Sequence, residues 1–327
     1  MAYQVGGTNR IKDDNTVVFK NVTVKNHYVF EQVGPVQGSV SSYSSGGTLP
    51  GGPTLYDTID KFPLSSDGNA TDVGDLTAGV RAYAAGQSSS SSGYTSGGKN
   101  PLTPAEFNVI DKFPFSSDAN ASDVGDLSQA RYLAAGQSSD TSGYVSGGST
   151  PYAVNSIDKF SFVSDGNGSD IANLTRVTRS TTGQSSPTHA YTSGGFTSYS
   201  SSNVIDKFPF ASDTDATDVG DLTVARMNLA GQSSFTNGYS SAGQQPITPQ
   251  NVIDKFPFAS DASATDVGDV LTSRVGTAGT SSTSNGYNAG GQPNYNIIEK
   301  FPFAVDENSA DVGDLTQARG FPAGQQV

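Results

Sequence analysis

A segment that occurs six times is the feature of this sequence that most limits how the chain can fold. In its clearest copy, residues 203–243, the segment contains Asn-Val-Ile-Asp-Lys-Phe-Pro-Phe, Thr-Asp-Val-Gly-Asp-Leu, Ala-Gly-Gln-Ser-Ser and Gly-Tyr-Ser-Ser-Ala-Gly in that order. The acidic residue of the first element recurs at intervals of 51, 47, 48, 48 and 45 residues: Asp60, Asp111, Asp158, Asp206, Asp254 and Glu299. Self-similarity at such a period indicates a series of similar supersecondary units.

Each repeat contains four short stretches with the composition of β-strands. From the inside of the unit outward they are a (Ala-Gly-Gln-Ser-Ser), b (Gly-Tyr-x-Ser-Gly-Gly), c (Val-Ile-Asp-Lys-Phe-Pro-Phe) and d (Thr-Asp-Val-Gly-Asp-Leu). Clusters of Gly, Pro, Asp and Ser separate them at intervals that are too short for helices. Four strands in a period of roughly 40–50 residues are typical of a propeller blade. The sequence therefore predicts an all-β, six-bladed β-propeller of four-stranded antiparallel blades.

The two ends of the repeat region predict how the ring closes. The last a stretch, around Gly324 and Gln325, is followed by no b, c or d stretch, and the first b stretch, 43–47, has no clear a stretch before it. We therefore predict that the C-terminal strand completes the first blade, which leaves no open sheet edge between the first and last blades. The alternative is that residues 36–38 supply that inner strand, which would leave the C-terminal copy without a role.

Composition alone gives a different impression. Only 34% of the residues are hydrophobic, Trp is absent and Gly occurs 38 times, a composition close to that of disordered chains. The fixed period and the alternating apolar residues of the c stretches, such as Phe62 and Leu64, favour a folded core instead. We assign residues 39–327 to the propeller. Residues 1–38 do not fit the repeat and are β-prone, so we interpret them as an N-terminal attachment segment, or as a tail packed on the propeller.

Charge and residue usage exclude several classes of function. The net charge of −13 argues against nucleic-acid binding, which needs a basic surface. The absence of Cys excludes disulfides and thiolate metal sites. No apolar run suits a signal peptide or a membrane span, so we expect no membrane insertion. The two histidines, His27 and His189, are far apart and no nucleophile motif is present, so we predict that the protein is not an enzyme.

Asp-rich tips join the c and d stretches of every repeat. Oxygen ligands at alternate positions of these tips resemble part of a calcium loop, although no bidentate Glu follows, and Asp213, Asp215 and Asp218 are the best candidates for a metal site. Asp and Asn also form side-chain-to-backbone turns that shape tight hairpins. The sequence thus leaves two interpretations of the tips, turn chemistry and a calcium site, and requires no other cofactor.

Two further residue types recur in every repeat or nearly so. An Arg in the connector from d to a is predicted to pair with the Asp of Val-Gly-Asp in its own or the neighbouring blade. The arginines concerned are Arg81, Arg131, Arg179, Arg226, Arg274 and Arg319. The Gln of the a stretch is predicted to line the central channel as a structural amide rather than a ligand site. The glutamines concerned are Gln87, Gln137, Gln184, Gln232 and Gln325.

The loops of a four-stranded blade divide between two faces. The a–b and c–d loops share one face, here called the a–b face, and the b–c loops and d–a connectors share the other, the b–c face. Variable loops on a rigid scaffold are common binding sites, and exposed aromatic rings suit contacts with sugars or proteins. The candidate binding residues of the b–c loops are Tyr56, Phe107, Tyr152, Phe196, Tyr199 and Tyr295. The alternative is that these are surface aromatics without a role.

The order Gly-Gly, Ile-Asp-Lys-Phe and Asp-Leu-Thr-x-Ala-Arg resembles the kelch or galactose-oxidase-type propeller repeat, without its Trp and with Phe in place of the usual Tyr. The combination Asp-Lys-Phe-Pro-Phe, Val-Gly-Asp-Leu and Ala-Gly-Gln-Ser-Ser resembles propellers in structural proteins of marine bacteriophages, especially cyanophages. Residues 5–14 are similar to the beginnings of phage fibre proteins.

This resemblance implies a virion component, such as a tail fibre, spike or capsid appendage, that serves host adhesion. It implies that residues 1–38 contact other virion proteins and that the loop face contacts a host surface glycan or a virion protein. Two alternatives remain open at this point. One is a cytoplasmic kelch-like adaptor that binds a protein partner, and the other is a glycan-active enzyme. The radical-copper chemistry of galactose oxidases is not implied, because it needs a Cys that this chain lacks.

Overall fold

Six four-stranded antiparallel sheets form the predicted propeller ring. The computed structural model describes residues 10–11, 17–18, 37–49, 54–103, 105–293 and 295–327. The chain divides into two compact units, Met1–Gln32 and Val33–Val327. In the first unit, Arg10–Ile11 pairs antiparallel with Val17–Val18; most of the predicted attachment segment lies outside the described residues. No helix in the described part of the chain has the length and apolarity needed to cross a membrane.

The strands follow the punctuation of the repeat. The a strands are Ala323–Gln326, Ala85–Ser88, Ala135–Ser138, Thr182–Ser185, Ala230–Ser233 and Ala278–Ser281, from the first blade to the sixth. The b strands are Ser41–Ser45, Ser92–Ser96, Ser142–Ser146, His189–Ser193, Asn237–Ser241 and Asn285–Ala289. The c strands are Thr58–Pro63, Val109–Pro114, Val154–Ser161, Val204–Pro209, Val252–Pro257 and Ile297–Pro302. The d strands are Thr71–Asp75, Ser122–Asp126, Ser169–Thr178, Thr217–Asp221, Thr265–Asp269 and Ala310–Asp314. A small hairpin, Gln244–Gln245 with Thr248–Pro249, extends the b–c loop of the fifth blade.

The first blade is composite, as predicted. Its inner strand, Ala323–Gln326, pairs antiparallel with Ser41–Ser45, and Gln325 lies opposite Tyr43. Gly38 is not part of this sheet; it forms an isolated parallel bridge with Ser282. The prediction that the C-terminus closes the ring is therefore confirmed, and the described part of the alternative strand 36–38 does not take the inner position.

Aromatic side chains fill the spaces between neighbouring blades. The b-strand Tyr43 contacts the two c-strand phenylalanines of the second blade, with ring centroids 5.3 Å from Phe113 and 5.0 Å from Phe115. Equivalent Tyr–Phe contacts recur around the ring, ending with Tyr287 against Phe62. Burial of each such ring stabilises the fold by roughly 1.5–3 kcal/mol. The phenylalanine positions expected to form the core therefore form it between blades.

Two closed rings of hydrogen bonds surround the axis. At the b–c face, one backbone N–H in each d–a connector donates to the equivalent carbonyl of the preceding blade, over 2.6 to 3.1 Å. The six residues of this ring are Tyr83, Leu133, Ser180, Asn228, Gly276 and Phe321. At the a–b face, the last a-strand N–H donates to a side-chain oxygen of the next blade, over 2.8 to 3.2 Å. The residues of the second ring are Ser88, Ser138, Ser185, Ser233, Ser281 and Gln326.

Candidate binding face and axial funnel

The N-terminal end of the described propeller chain and the C-terminal residue both lie at the a–b face. Gly38 N–H donates to the carbonyl of Ser281 at 2.8 Å, and Gln37 Nε2 donates to the carbonyl of Ser233 at 3.1 Å. The carbonyl of Val327 accepts hydrogen bonds from three consecutive backbone N–H groups that begin at Ser39. Described residues from both ends of the propeller chain thus pack at the a–b end of the axis, and these residues leave the b–c end uncovered.

A depression of about 330 Å³ lies at the open end of the axis, and we call it the axial funnel. Its lining is mostly apolar and comes from d–a connectors and one b–c loop: Tyr83, Leu133, Arg179, Ser180, Phe196, Met227, Asn228 and Phe321. The rings of Tyr83 and Phe321 contact each other with centroids 4.5 Å apart. A concave apolar site with a few polar groups is the usual form of a ligand site.

The backbone that carries the funnel is held in an unusual conformation. Five connector residues have φ between 56° and 64°, in the left-handed region that residues other than Gly mostly avoid. They are Tyr83, Leu133, Ser180, Asn228 and Phe321. Each such residue costs about 1–2 kcal/mol. The closed ring of backbone hydrogen bonds compensates for this cost and fixes the position of each lining residue. The funnel is therefore a rigid part of the ring and not a flexible loop.

The repeated connector arginines form buried ion pairs, but their partner differs from the prediction. Arg226 Nη2 lies 2.9 Å from Asp254 Oδ2, so the arginine of one blade pairs with the c-strand acid of the next blade. The prediction that it pairs with the Asp of Val-Gly-Asp is wrong, because that residue lies near the outer edge of the blade. Desolvation lowers the pKa of Arg226 and raises the pKa of Asp254, against the attraction between them. Such pairs add little net stability, because desolvation offsets the attraction, but removal of one partner leaves an uncompensated buried charge.

The third blade departs from this pattern. There Arg176, three residues before the predicted Arg179, forms the pair with the next acid, Asp206, at 3.0 Å. Arg179 instead lies half-buried in the axial funnel with its guanidinium 5.5 Å from the ring centre of Phe196. It has no acidic partner within 4 Å among the residues that the structure describes. The funnel thus contains a cation that the ion-pair network does not use.

The six aromatic residues predicted for the b–c loops have different environments. Tyr56 and Tyr295 are half-buried and lie over buried arginines, with ring centres 5.2 and 5.9 Å from the guanidinium carbons. Phe107 is also half-buried. Phe196 lines the axial funnel. The remaining two, Tyr152 and Tyr199, are exposed at 82% and 93%.

Two further apolar side chains extend the exposed set. Leu102 in the second blade is 56% exposed, and Ile247 in the fifth blade is 89% exposed. With Tyr152 and Tyr199 they place one large apolar side chain at the b–c loop of four consecutive blades, a group that we call the loop tips. Sequence reasoning based on aromatic residues missed these two aliphatic members.

Sequence reasoning also missed most of the funnel. Tyr83, Leu133 and Phe321 stand three residues before the Gly of their a strands, in a motif otherwise made of small residues. A large apolar residue at that position in three of six repeats was the available signal. This recurrence indicates a site at the axis only once the six blades are known to form a closed ring.

The five predicted glutamines connect blades and leave little free space. Gln325 Nε2 donates to the carbonyl of Tyr94 at 2.9 Å and to Thr95 Oγ1 at 3.0 Å, both in the next blade. The other four donate in the same way to the next b strand, from Gln87, Gln137, Gln184 and Gln232. The channel cavity beside them measures about 60 Å³, which holds a few water molecules. These amides therefore act in packing between blades.

The three carboxylates of the predicted calcium site make separate contacts. Asp213 pairs with Lys159 of the preceding blade at 2.9 Å. Asp215 accepts the backbone N–H of Asn173 at 2.8 Å, and Asp218 accepts that of Gly220 at 3.2 Å. No group of three or more His, Cys, Asp or Glu is arranged to hold a metal in the described part of the chain. Asp218 makes the local side-chain-to-backbone contact of a turn, whereas Asp213 and Asp215 bind the neighbouring blade.

The Asp-rich tips also cover the outer sheet edges. Ala264 N–H of one tip donates to the carbonyl of Asp221, at the end of the preceding d strand, over 2.8 Å, and Ser263 Oγ accepts the N–H of Asp221 at 3.1 Å. Equivalent contacts recur between the other blades. Covered edges do not pair with other chains, so these tips also oppose aggregation.

Of the two histidines, His27 lies outside the described residues. His189 Nδ1 lies 2.9 Å from Thr188 Oγ1 in the a–b loop, and burial lowers the pKa of its imidazole. The lining of the axial funnel includes neither a carboxylate nor an imidazole. The described funnel thus offers hydrophobic contact, hydrogen bonding and one cation, but no acid–base pair.

No protein-family model matches the sequence, and no curated protein matches it. Among solved structures the chain is similar to YjhT, with a TM-score of 0.64 and 11% sequence identity. The similarity covers 75% of this chain and 87% of the YjhT chain. At this identity the similarity shows the propeller fold alone.

Proposed function

We propose that the protein is a non-enzymatic phage virion structural protein that presents its b–c face to a glycan on the host surface. In this proposal residues 1–38 attach the propeller to other virion proteins, in a fibre, spike or capsid appendage. The observation that carries the proposal is the opposition of the two faces. The chain reaches the propeller at the a–b face, through Gln37 and Gly38, whereas the loop tips and the axial funnel lie on the opposite face.

The chemistry of the b–c face supports binding rather than catalysis. Hydrolysis of a glycosidic bond ordinarily uses two carboxyl groups that flank the bond. The described lining of the funnel has none. Tyr152 and Tyr199 instead offer ring faces to solvent, which suits the apolar face of a sugar ring. The resemblance of the repeat to phage propellers supports the virion setting.

Two measurements test the proposal, and mass spectrometry of purified phage particles is the first. We expect peptides of this chain in the particles. We also expect the purified full chain to bind host envelope polysaccharide, and the double variant Tyr152→Ser and Tyr199→Ser to bind about thirtyfold more weakly, since each ring contributes on the order of 1 kcal/mol.

The matched control is the double variant Val163→Ser and Val305→Ser, which removes exposed apolar side chains from the a–b face. It should bind like the wild type. Absence from particles would contradict the virion role and favour the cytoplasmic adaptor. Equal losses in both double variants would contradict the assignment of the b–c face, and turnover of the polysaccharide would contradict a non-enzymatic role.

A further inference from the structure

The irregular third blade supplies the axial funnel with a charge that the other blades do not supply. Arg81, Arg131, Arg226, Arg274 and Arg319 are fully buried and paired with the next blade. In the third blade Arg176 takes over this pairing, so the structural need for an arginine is already met. Arg179 is therefore an additional arginine, and it lies at the axis.

Among the described residues, the surroundings of Arg179 contain no competing acid. The described b–c loops and d–a connectors carry, besides the buried pairs, Asp57, Lys99, Glu106 and Arg179. Lys99 lies 3.5 Å from Glu106, so that cation is already paired. The Asp-rich tips that make the protein acidic belong to the a–b face. The acidic tips of the a–b face repel an anion. On the b–c face, among the described residues of these loops and connectors, the anion meets an unpaired cation only at the funnel.

The guanidinium is also partly oriented. Its central carbon lies 5.5 Å from the ring centre of Phe196, a cation–π contact that leaves the N–H edges of the guanidinium for other partners. A planar carboxylate accepts two parallel hydrogen bonds from such an edge. Ser180 and Asn228, which also line the funnel, provide neutral hydrogen-bonding groups beside it. The rings of Tyr83 and Phe321 provide an apolar wall.

We propose that the axial funnel binds an acidic sugar residue of a surface glycan, with its carboxylate on Arg179 and its ring against the aromatic wall. This inference rests on the proposed glycan-binding function and names the ligand class. A depression of about 330 Å³ is at the small end of ligand sites, which suits one or two sugar rings rather than a long segment.

The test compares methyl β-D-glucuronide with methyl β-D-glucoside, which differ only at C6, a carboxylate in the first and a hydroxymethyl group in the second. NMR titration of the full chain should give an affinity about tenfold higher for the glucuronide, the usual size of one charge-assisted hydrogen-bonded contact. In Arg179→Gln the two sugars should bind equally. Arg179→Lys should retain part of the preference, and Lys99→Gln, which removes a paired cation of the same face, should retain all of it.

Each other outcome overturns the inference. These outcomes are equal affinities of the wild type for the two sugars, a preference that survives in Arg179→Gln, and tighter binding of N-acetylphenylalanine than of the glucuronide. The last outcome would assign the funnel to a peptide C-terminus. Far-UV circular dichroism of each variant confirms that it is folded. The two proposals fail separately: binding of host polysaccharide without a glucuronide preference refutes this inference alone, whereas absence of host binding refutes the proposed function.

Discussion

The glycine at the second position of each inner strand determines how closely the blades approach the axis. A Cβ atom added to Gly136 would lie 2.1 Å from the carbonyl oxygen of Gly86 in the preceding blade. The same clash, at 2.1 to 2.4 Å, occurs at every step around the ring. The obstructing atom is backbone that is itself held in a sheet, so it cannot move aside as a side chain can. Any side chain here would widen the ring and disturb both rings of hydrogen bonds.

Gly136→Ala therefore tests whether the axis tolerates expansion. We expect a loss of about 3 kcal/mol or more in the free energy of unfolding, at the upper end for overpacking, because backbone obstructs the new methyl group. Gly68→Ala is the matched control, since its added Cβ would meet only Pro63 Cγ at 3.7 Å. The control should change stability by less than about 0.5 kcal/mol. Similar urea midpoints for the two variants would contradict a tightly packed axis.

At the scale of one blade interface, the pair between the fifth and sixth blades shows how two departures from the repeat compensate each other. At the other interfaces a hydroxyl donates to the c-strand Asp, from Thr at four of them and from Ser128 at one, as Thr223 Oγ1 donates to Asp254 at 2.6 Å. At the fifth connector Leu271 occupies the Thr position and has no hydroxyl, and the acid is the longer Glu299. Glu299 Oε2 accepts from Ser309 Oγ at 2.6 Å and from the N–H of Leu271 at 3.0 Å.

A double-mutant cycle at this interface measures the coupling. Glu299→Asp alone should cost about 1–3 kcal/mol, because the shorter acid leaves Ser309 and the buried Arg274 with weaker partners. Leu271→Thr with Glu299→Asp restores the combination found at most other interfaces and should recover more than half of that loss. Thermal and chemical denaturation of the three variants give the coupling energy. Additive effects would show that the two departures are independent.

The four-strand blade was predictable from the sequence because its signals are local. Gly, Pro and Asp clusters mark the turns, and the alternation along c places Ile59 and Phe62 on opposite faces, each packed against a different neighbouring blade. The partner of each connector arginine was not predictable, since the pair crosses between blades and depends on their spacing. In the third blade two arginines, Arg176 and Arg179, stand three residues apart, and only the fold shows which one pairs with Asp206.

At the scale of the whole molecule, closure was predictable but the axial funnel was not. The sequence places an a motif at the C-terminus with no b motif after it. The order of motifs along the chain therefore indicates closure. The funnel is formed by connectors that are about 50 to 240 residues apart, such as Tyr83, Leu133 and Phe321, and each is unremarkable by itself. Their convergence requires that all six blades are present and that the first and last are joined.

Removal of residues 323–327 tests how much of the molecule depends on that joint. The deletion unpairs Ser41–Ser45 and removes one donor from the a–b ring of hydrogen bonds. It also removes the contacts of Gln325 with the second blade. The exposed strand becomes a free edge, which favours association with other chains. We expect the truncated chain to lose its cooperative thermal transition and to aggregate in size-exclusion chromatography.

The control keeps the joint and changes only its atypical residue. Gln326→Ser places at the sixth position of the a–b ring the residue type that the other five positions have. The thermal transition of this variant should remain close to that of the wild type. The reason is that a Ser hydroxyl accepts the equivalent backbone N–H at each of the other five positions. If the truncated chain instead melts cooperatively at the wild-type temperature, each blade is stable without closure. The stability of the ring would then come from the contacts between neighbouring blades alone, and the funnel would not depend on the C-terminal strand.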